Sequence, residues 1–258
     1  MSCNLLLVKT KTQPTVVLVP CLSGAPWDPA QTTTLAHRPL HYLRLPEGLD
    51  DIERYADALA DEVADLEDYV LAGDSFGANI ALALAVRQPA GLRALVMSGG
   101  FAANPVSSTV LKTAMSTTIK LGGAAYRQVV LRTHAHLLAS PFDAQGEVPW
   151  SEADSRRLFL ENTPAGSYGA RVNAVFKADY TDSLDRVQVP TLIITPSHDR
   201  LVGAAAAKVM LDGIADAREI VLERTGHMFR FSHPGRYSQA IDAFLTDTIE
   251  REHIDAPV

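Results

Sequence analysis

This sequence is poor in the residues that would point to several common classes of protein. Only two cysteines, Cys3 and Cys21, occur in 258 residues, and neither belongs to a Cys-x-x-Cys or His/Cys cluster. That spacing excludes the usual structural zinc and iron–sulfur patterns, and it reads as two reduced thiols in a cytoplasmic protein. No stretch approaches the roughly 18 uninterrupted apolar residues that a bilayer crossing needs, and the first residues hold only a four-residue apolar run, Leu5–Val8. Neither a signal peptide nor a membrane span is expected. Basic residues are in the minority, 23 Lys+Arg against 30 Asp+Glu, for a formal charge of −7. A chain of that sign repels phosphate backbones and anionic lipid, so neither nucleic acid nor a membrane is expected as a partner. Internal repeats and low-complexity tracts are absent as well.

What is present is the balance of a soluble globular protein, 47% hydrophobic and 21% charged with a mean hydropathy of +0.04. Short aliphatic or β-branched runs recur at residues 4–9, 15–19, 41–45, 69–72, 92–97, 191–195 and 219–222. Most show little polar alternation, as strands buried on both faces of a parallel sheet do. One-sided helical patterns fall between them at 49–66, 76–87, 204–211 and 237–250. The order predicts an α/β protein with a mostly parallel, doubly wound sheet of about seven strands. Residues 101–186 break the rhythm, with helical patterns, repeated Gly and Pro breakers and no convincing strand. We read them as a helical cap inserted into a core formed by residues 1–100 and 187–258. From Glu47 to Asp68 ten acidic residues face the single Arg54. A solvated helix face is the simpler reading of that run, and a docking surface for a basic partner is the alternative.

The most informative local pattern is Gly73-Asp74-Ser75-Phe76-Gly77, between a buried apolar run and an Ala/Leu-rich helical pattern. A serine held on a sharp strand-to-helix turn needs small residues two positions before and after it. Ser75 is therefore the candidate nucleophile, and the Phe76 amide at the helix start is a candidate donor to an oxyanion. A serine hydroxyl needs a base, and the base needs an orienting acid. His227, after the last strand, is the candidate base, with His233 as a weaker rival in the same region. His134 and His136 fall within a helical pattern and invite no special role. Asp199, in the polar loop after the strand at 191–195, is the candidate acid. A second oxyanion donor is sought in the loop after the strand at 15–19. Pro20 has no N–H, so Leu22 is preferred and Cys21 is the runner-up. Trp27 and Met228 are weaker candidates for substrate contact, and Trp27 reads more naturally as a buried aromatic. Arg127, Arg132 and Arg171 could meet a substrate carboxylate, although solvated positions on helices are the simpler expectation. No cofactor or metal is called for.

With the order Ser75, Asp199, His227, the chain resembles the α/β-hydrolase superfamily, specifically its compact capped serine hydrolases of the carboxylesterase, lactonase and thioesterase type. The best-matching stretches are residues 70–100 and 184–227, including Leu184–Ile194 and Gly226-His227. The resemblance implies an acyl-enzyme mechanism on a small-molecule substrate, with a carboxylic ester of a small, mostly apolar molecule first. Thioester, lactone or C–C bond hydrolysis are alternatives, as is a non-catalytic ligand-binding relative. Four positions depart from the family pattern: Pro20-Cys21 replaces His-Gly, Pro196 and Ala78 replace glycines, and the loop at 45–48 is short. A hairpin near Thr12 would bring Cys3 opposite Cys21, but in the family the strand before the oxyanion strand is not its neighbour, so no disulfide is implied.

Overall fold

A computed structural model describes residues 13–105, 123–164 and 166–254. Among these, six strands form one wholly parallel sheet in the order β2-β1-β3-β4-β5-β6. They are β1 (Thr15–Val19), β2 (Leu40–Tyr42), β3 (Tyr69–Asp74), β4 (Leu92–Ser98), β5 (Thr191–Pro196) and β6 (Ala217–Leu222). The expected strand at 4–9 and the pairing of Cys3 lie outside the described residues; Cys21 is a free, buried thiol. Strand β2 ends at Tyr42 instead of residue 45, because beyond the Leu43 amide bond to Leu18 O the chain turns off the edge toward Pro46.

The sheet is covered on both faces, which is why its strands read as unbroken apolar runs. On one face lie α1 (Ile52–Val63), α2 (Phe76–Ala85) and α6 (Ala204–Gly213), packed on Val17, Leu71, Leu95 and Ile193. On the other, after the single turn α7 (Phe229–Ser232), α8 (Pro234–Ile254) sets Tyr237, Ile241, Phe244 and Leu245 against Val16, Val70, Val96 and Ile194. Helix α1 is shorter than its apolar pattern because the Asp51 side chain accepts from the Glu53 amide and starts the helix there. Helix α8 starts three residues earlier than its pattern, at Pro234, whose missing N–H costs nothing in a first turn. Much of the acidic face of α1 is engaged within the chain: Glu53 and Asp57 pair with Arg87, and Glu62 meets His41.

Between β4 and β5 stand α3 (Gly123–Leu138), α4 (Glu152–Asn162) and α5 (Ser167–Lys177), with 3-10 turns at Asp143–Gln145 and Thr181–Arg186. The chain leaves β1 toward β2 on one side and returns to β3 on the other. The crevice outside the carboxyl ends of β1 and β3 is therefore the switch point at which open parallel sheets bind ligands.

Candidate active site

Ser75 sits in that crevice with φ 52° and ψ −111°, a conformation that costs about 1–3 kcal/mol for a residue with a Cβ. Close packing of main chain holds it there. A Cβ on Gly73 would lie 2.5 Å from Ala78 Cα, and one on Gly77 would lie 2.6 Å from Pro20 O, so β1, the elbow and α2 approach too closely for any side chain. The Ser75 amide is fixed on Ser98 O at 2.8 Å and its carbonyl accepts from the Ala78 amide.

His227 stands between the other two candidates. Its Nε2 is 2.9 Å from Ser75 Oγ and its Nδ1 is 2.6 Å from Asp199 Oδ2. An ionised carboxylate only accepts, so Nδ1 carries the proton and Nε2 presents its lone pair to the serine hydroxyl. The other oxygen of Asp199 accepts from the Leu201 and Val202 amides at 2.8 and 2.9 Å, which locks the carboxylate in place. Burial by itself would push the His227 imidazole down. Asp199, with smaller contributions from Asp74 and Asp143, lifts it above the ordinary histidine value. His233 is turned away from Ser75, with its Nδ1 2.9 Å from Ser232 Oγ.

The loop that carries His227 is braced by a residue that sequence reasoning passed over. Asp143 is 1% exposed and accepts from the Gly226 amide, the Met228 amide and Ser232 Oγ, bracketing His227 on both sides. A side chain on Gly226 would collide with it. Nothing local marks Asp143, which lies 83 residues from Gly226 in sequence.

The turn after β1 closes with the Gly24 amide donating to Cys21 O at 2.8 Å, leaving Leu22 and Ser23 at its centre. Leu22 lines the crevice beside Ser75 and Phe76 follows Ser75 in the elbow, and neither amide has an acceptor among the described residues. Cys21 also lines the crevice, its thiol raised by burial and 3.1 Å from Ser23 Oγ.

Trp27 does not reach the crevice, contrary to its candidacy. Its Nε1 donates to Val19 O, and its ring stacks on Tyr237 at 5.4 Å and lies under the Arg230 guanidinium at 4.9 Å. An indole buries far more stably against such partners than in a wet cleft. Arg230 is itself fully buried, with Nε 2.8 Å from Asp74 Oδ2, so the elbow carboxylate is neutralised from below. Burial raises the Asp74 carboxyl, and Arg230 opposes that rise. Met228 does line the crevice, together with Phe231.

The crevice holds about 300 Å³, part of it open to solvent. Helices α3 and α4 roof it with His134, Leu138 and Phe159. His134, which sequence pattern assigned no role, holds Tyr168 Oη at 2.7 Å through Nδ1 and packs on Phe159. Burial drives its pKa to about 3, so the ring is neutral. Of the three arginines considered for a carboxylate, Arg132 is exposed as expected, whereas Arg171 is 1% exposed; the expectation of a solvated side chain fails because Arg171 points inward to Leu22 O at 2.9 Å. The side chain of Arg127 lies outside the described residues. Among the described residues no cluster of His, Cys, Asp and Glu could hold a metal ion, and no helix is long and apolar enough to cross a membrane.

Comparison with known proteins places this geometry in context. A family model described as serine aminopeptidase, S33, matches residues 37–231. The 2-hydroxymuconate semialdehyde hydrolase of Pseudomonas putida is 28% identical over 179 residues, 69% of this chain and 62% of that protein. The chain thus matches less than two thirds of the length of the curated relatives it resembles. A thermophilic esterase from Thermogutta terrifontis superposes with a TM-score of 0.77 at 22% identity, over 93% of this chain and 92% of that one. The enol-lactonase of Burkholderia xenovorans LB400 gives 0.77 at 19% identity, over 92% and 93%. At these identities the two structures establish a shared fold.

Proposed function

Because this chain belongs to the serine aminopeptidase S33 family of α/β-hydrolases, a family acting on small-molecule substrates, we propose that it is a serine hydrolase working through an acyl-enzyme on a carboxylic ester. The observation that carries the reading is the continuous Ser75–His227–Asp199 hydrogen-bond chain at 2.9 and 2.6 Å, at the switch point of the sheet. His227 Nε2 takes the Ser75 proton as Oγ attacks the carbonyl carbon, and Asp199 stabilises the imidazolium that forms. The Phe76 and Leu22 amides hold the oxyanion. Collapse of the tetrahedral intermediate expels the alcohol, which receives the proton from His227. Water then attacks the acyl-enzyme, with His227 as base, and regenerates Ser75.

The lining of the crevice supports a small, mostly apolar substrate. Its apolar walls, Leu22, Leu138, Phe159, Met228 and Phe231, and its small volume fit a short, mostly apolar acyl or alcohol group. Residues 101–186 act as the cap in this reading, and residues 1–100 and 187–258 as the catalytic core. The relatives' names, a semialdehyde hydrolase, an esterase and an enol-lactonase, support an ester or a lactone, and thioester and C–C bond hydrolysis stay as alternatives on the same triad. A non-catalytic binding role has no comparable support, since a ligand sensor has no need of a locked acid, base and hydroxyl in series.

The decisive experiment is reaction with a fluorophosphonate probe followed by peptide mapping. Labelling at Ser75, abolished in Ser75→Ala and in His227→Ala, is the expected result. An unlabelled wild-type protein that is folded would overturn the reading.

A further inference from the structure

Arg171 has no part in the chemistry so far, yet it is among the largest fully buried side chains in the molecule. A guanidinium removed from water needs partners. Arg171 takes part in no ion pair among the described residues, and its Nε is buried without a hydrogen-bond partner. What it does meet is the turn after β1. Nη1 donates to Leu22 O at 2.9 Å, and a Cβ on Gly24, where φ is +76°, would lie only 2.6 Å from Nη1. The guanidinium is therefore seated on bare loop backbone. A second group from the same region holds the next peptide: Thr163, at the end of α4, donates from Oγ1 to Ser23 O at 2.9 Å.

These contacts lead from the end of α4 and from α5 to the two peptides that follow the candidate donor amide of Leu22, and we infer that Arg171 is a positioning residue that fixes the Leu22–Ser23 peptide and thereby the orientation of the adjoining Leu22 N–H. The inference rests on the serine hydrolase reading. An arginine suits the task because a charged donor bonds a carbonyl about twice as strongly as a neutral one. The oxyanion hole is then complete only with α5 packed on the turn after β1.

The test compares wild type with Arg171→Met, Arg171→Lys and Thr163→Val on p-nitrophenyl acetate, with thermal melting measured in parallel. Deleting a whole oxyanion donor costs about 10²–10³-fold in kcat, and misplacing one should cost about 10–100-fold. Arg171→Met is expected to lower kcat by that factor with KM changed less than about threefold, and to weaken an aryl boronic acid, which forms a tetrahedral adduct on Ser75, in parallel. Arg171→Lys should recover much of the loss. An unchanged kcat in folded Arg171→Met overturns the inference. So does a rise in KM alone, which would make Arg171 a substrate contact, or a loss that follows the melting temperature and is not recovered by lysine. If Arg171→Met does not fold, Thr163→Val decides the matter: the same kcat-selective loss at about 3–10-fold supports the inference, and an unchanged kcat overturns it. Failure of wild-type Ser75 to react with a fluorophosphonate sinks the hydrolase reading itself, whereas a reactive Ser75 with turnover indifferent to Arg171 sinks only this step.

Discussion

The two halves of the crevice are built by different means. On the sheet side, residues 69–85 are buried without exception, and the elbow is set by main chain against main chain: Gly73 on Ala78, Gly77 on Pro20. On the roof side, α3 to α5 carry many half-buried residues and reach the site through the tips of side chains, His134 to Tyr168, Thr163 to Ser23 and Arg171 to Leu22. Backbone packing leaves little room for adjustment, because even one added methyl at Gly73 or Gly77 would have to displace main chain. Side-chain contacts can shift by a rotamer and still be made. The triad thus rests on the rigid side, and the roof shapes selectivity except where Thr163 and Arg171 grip the turn after β1.

The sharpest way to break this contrast is at its rigid end. Ser75→Ala should lower kcat/KM on short esters by about 10⁴-fold or more while leaving the melting temperature unchanged or raised, since the strained φ remains but no bond essential to the fold is lost. Retention of a tenth of the activity would make the elbow structural.

Asp199→Asn should come next, at about 10³–10⁴-fold, because an amide that donates to Nδ1 imposes the wrong tautomer on His227. It also carries a sign in pH. His227 acts only when neutral, so in wild type the acid limb of kcat/KM should lie above the ordinary histidine value, and activity should fall as pH drops through the raised pKa. Without Asp199 the largest influence left is burial, which lowers the pKa, and the limb should move to more acid pH. A limb that stays in place would mean another group governs it.

On the roof, Phe159→Ala should be graded. Opening the wall is expected to shift preference toward longer acyl or alcohol chains by about 10-fold while changing acetate turnover by less than about threefold. Equal losses on all chain lengths would show that the roof is part of the chemistry and that the contrast between the halves is overstated.

The roof also carries a prediction that concerns stability and leaves catalysis aside. The folded-state pKa of His134 lies near 3, below its value of about 6.5 in an unfolded chain. The unfolded state therefore binds the extra proton first, and stability is lost progressively as pH falls from about 6.5 toward 3. His134→Phe should flatten that slope in denaturant titrations at pH 4–7, at the cost of the Tyr168 bond. An unchanged slope would show that the ring is hydrated enough to protonate in the folded state.

How legible each part was follows from the range of the interaction that fixes it. Gly73, Ser75 and Gly77 are within five residues of one another, and the steric demand of the elbow is written in that spacing. Strands buried on both faces announce themselves as apolar runs, and the order Ser75, Asp199, His227 follows from strands that each deliver a loop to the same edge. Trp27, by contrast, could be read as lining the site or as core, and only its packing against Tyr237 and Arg230 decided for the core. Asp143 and Gly226, Arg171 and Leu22, and His134 and Tyr168 meet across 83, 149 and 34 residues. No periodicity or local motif encodes such pairs, because a side chain's partner is set by where the fold brings another segment, and its charge by the water that segment displaces. The sequence by itself determined the sheet, the elbow and the order of the acid–base chain; which side chains brace the histidine, roof the crevice and grip the turn after β1 was decided only when the chain closed on itself.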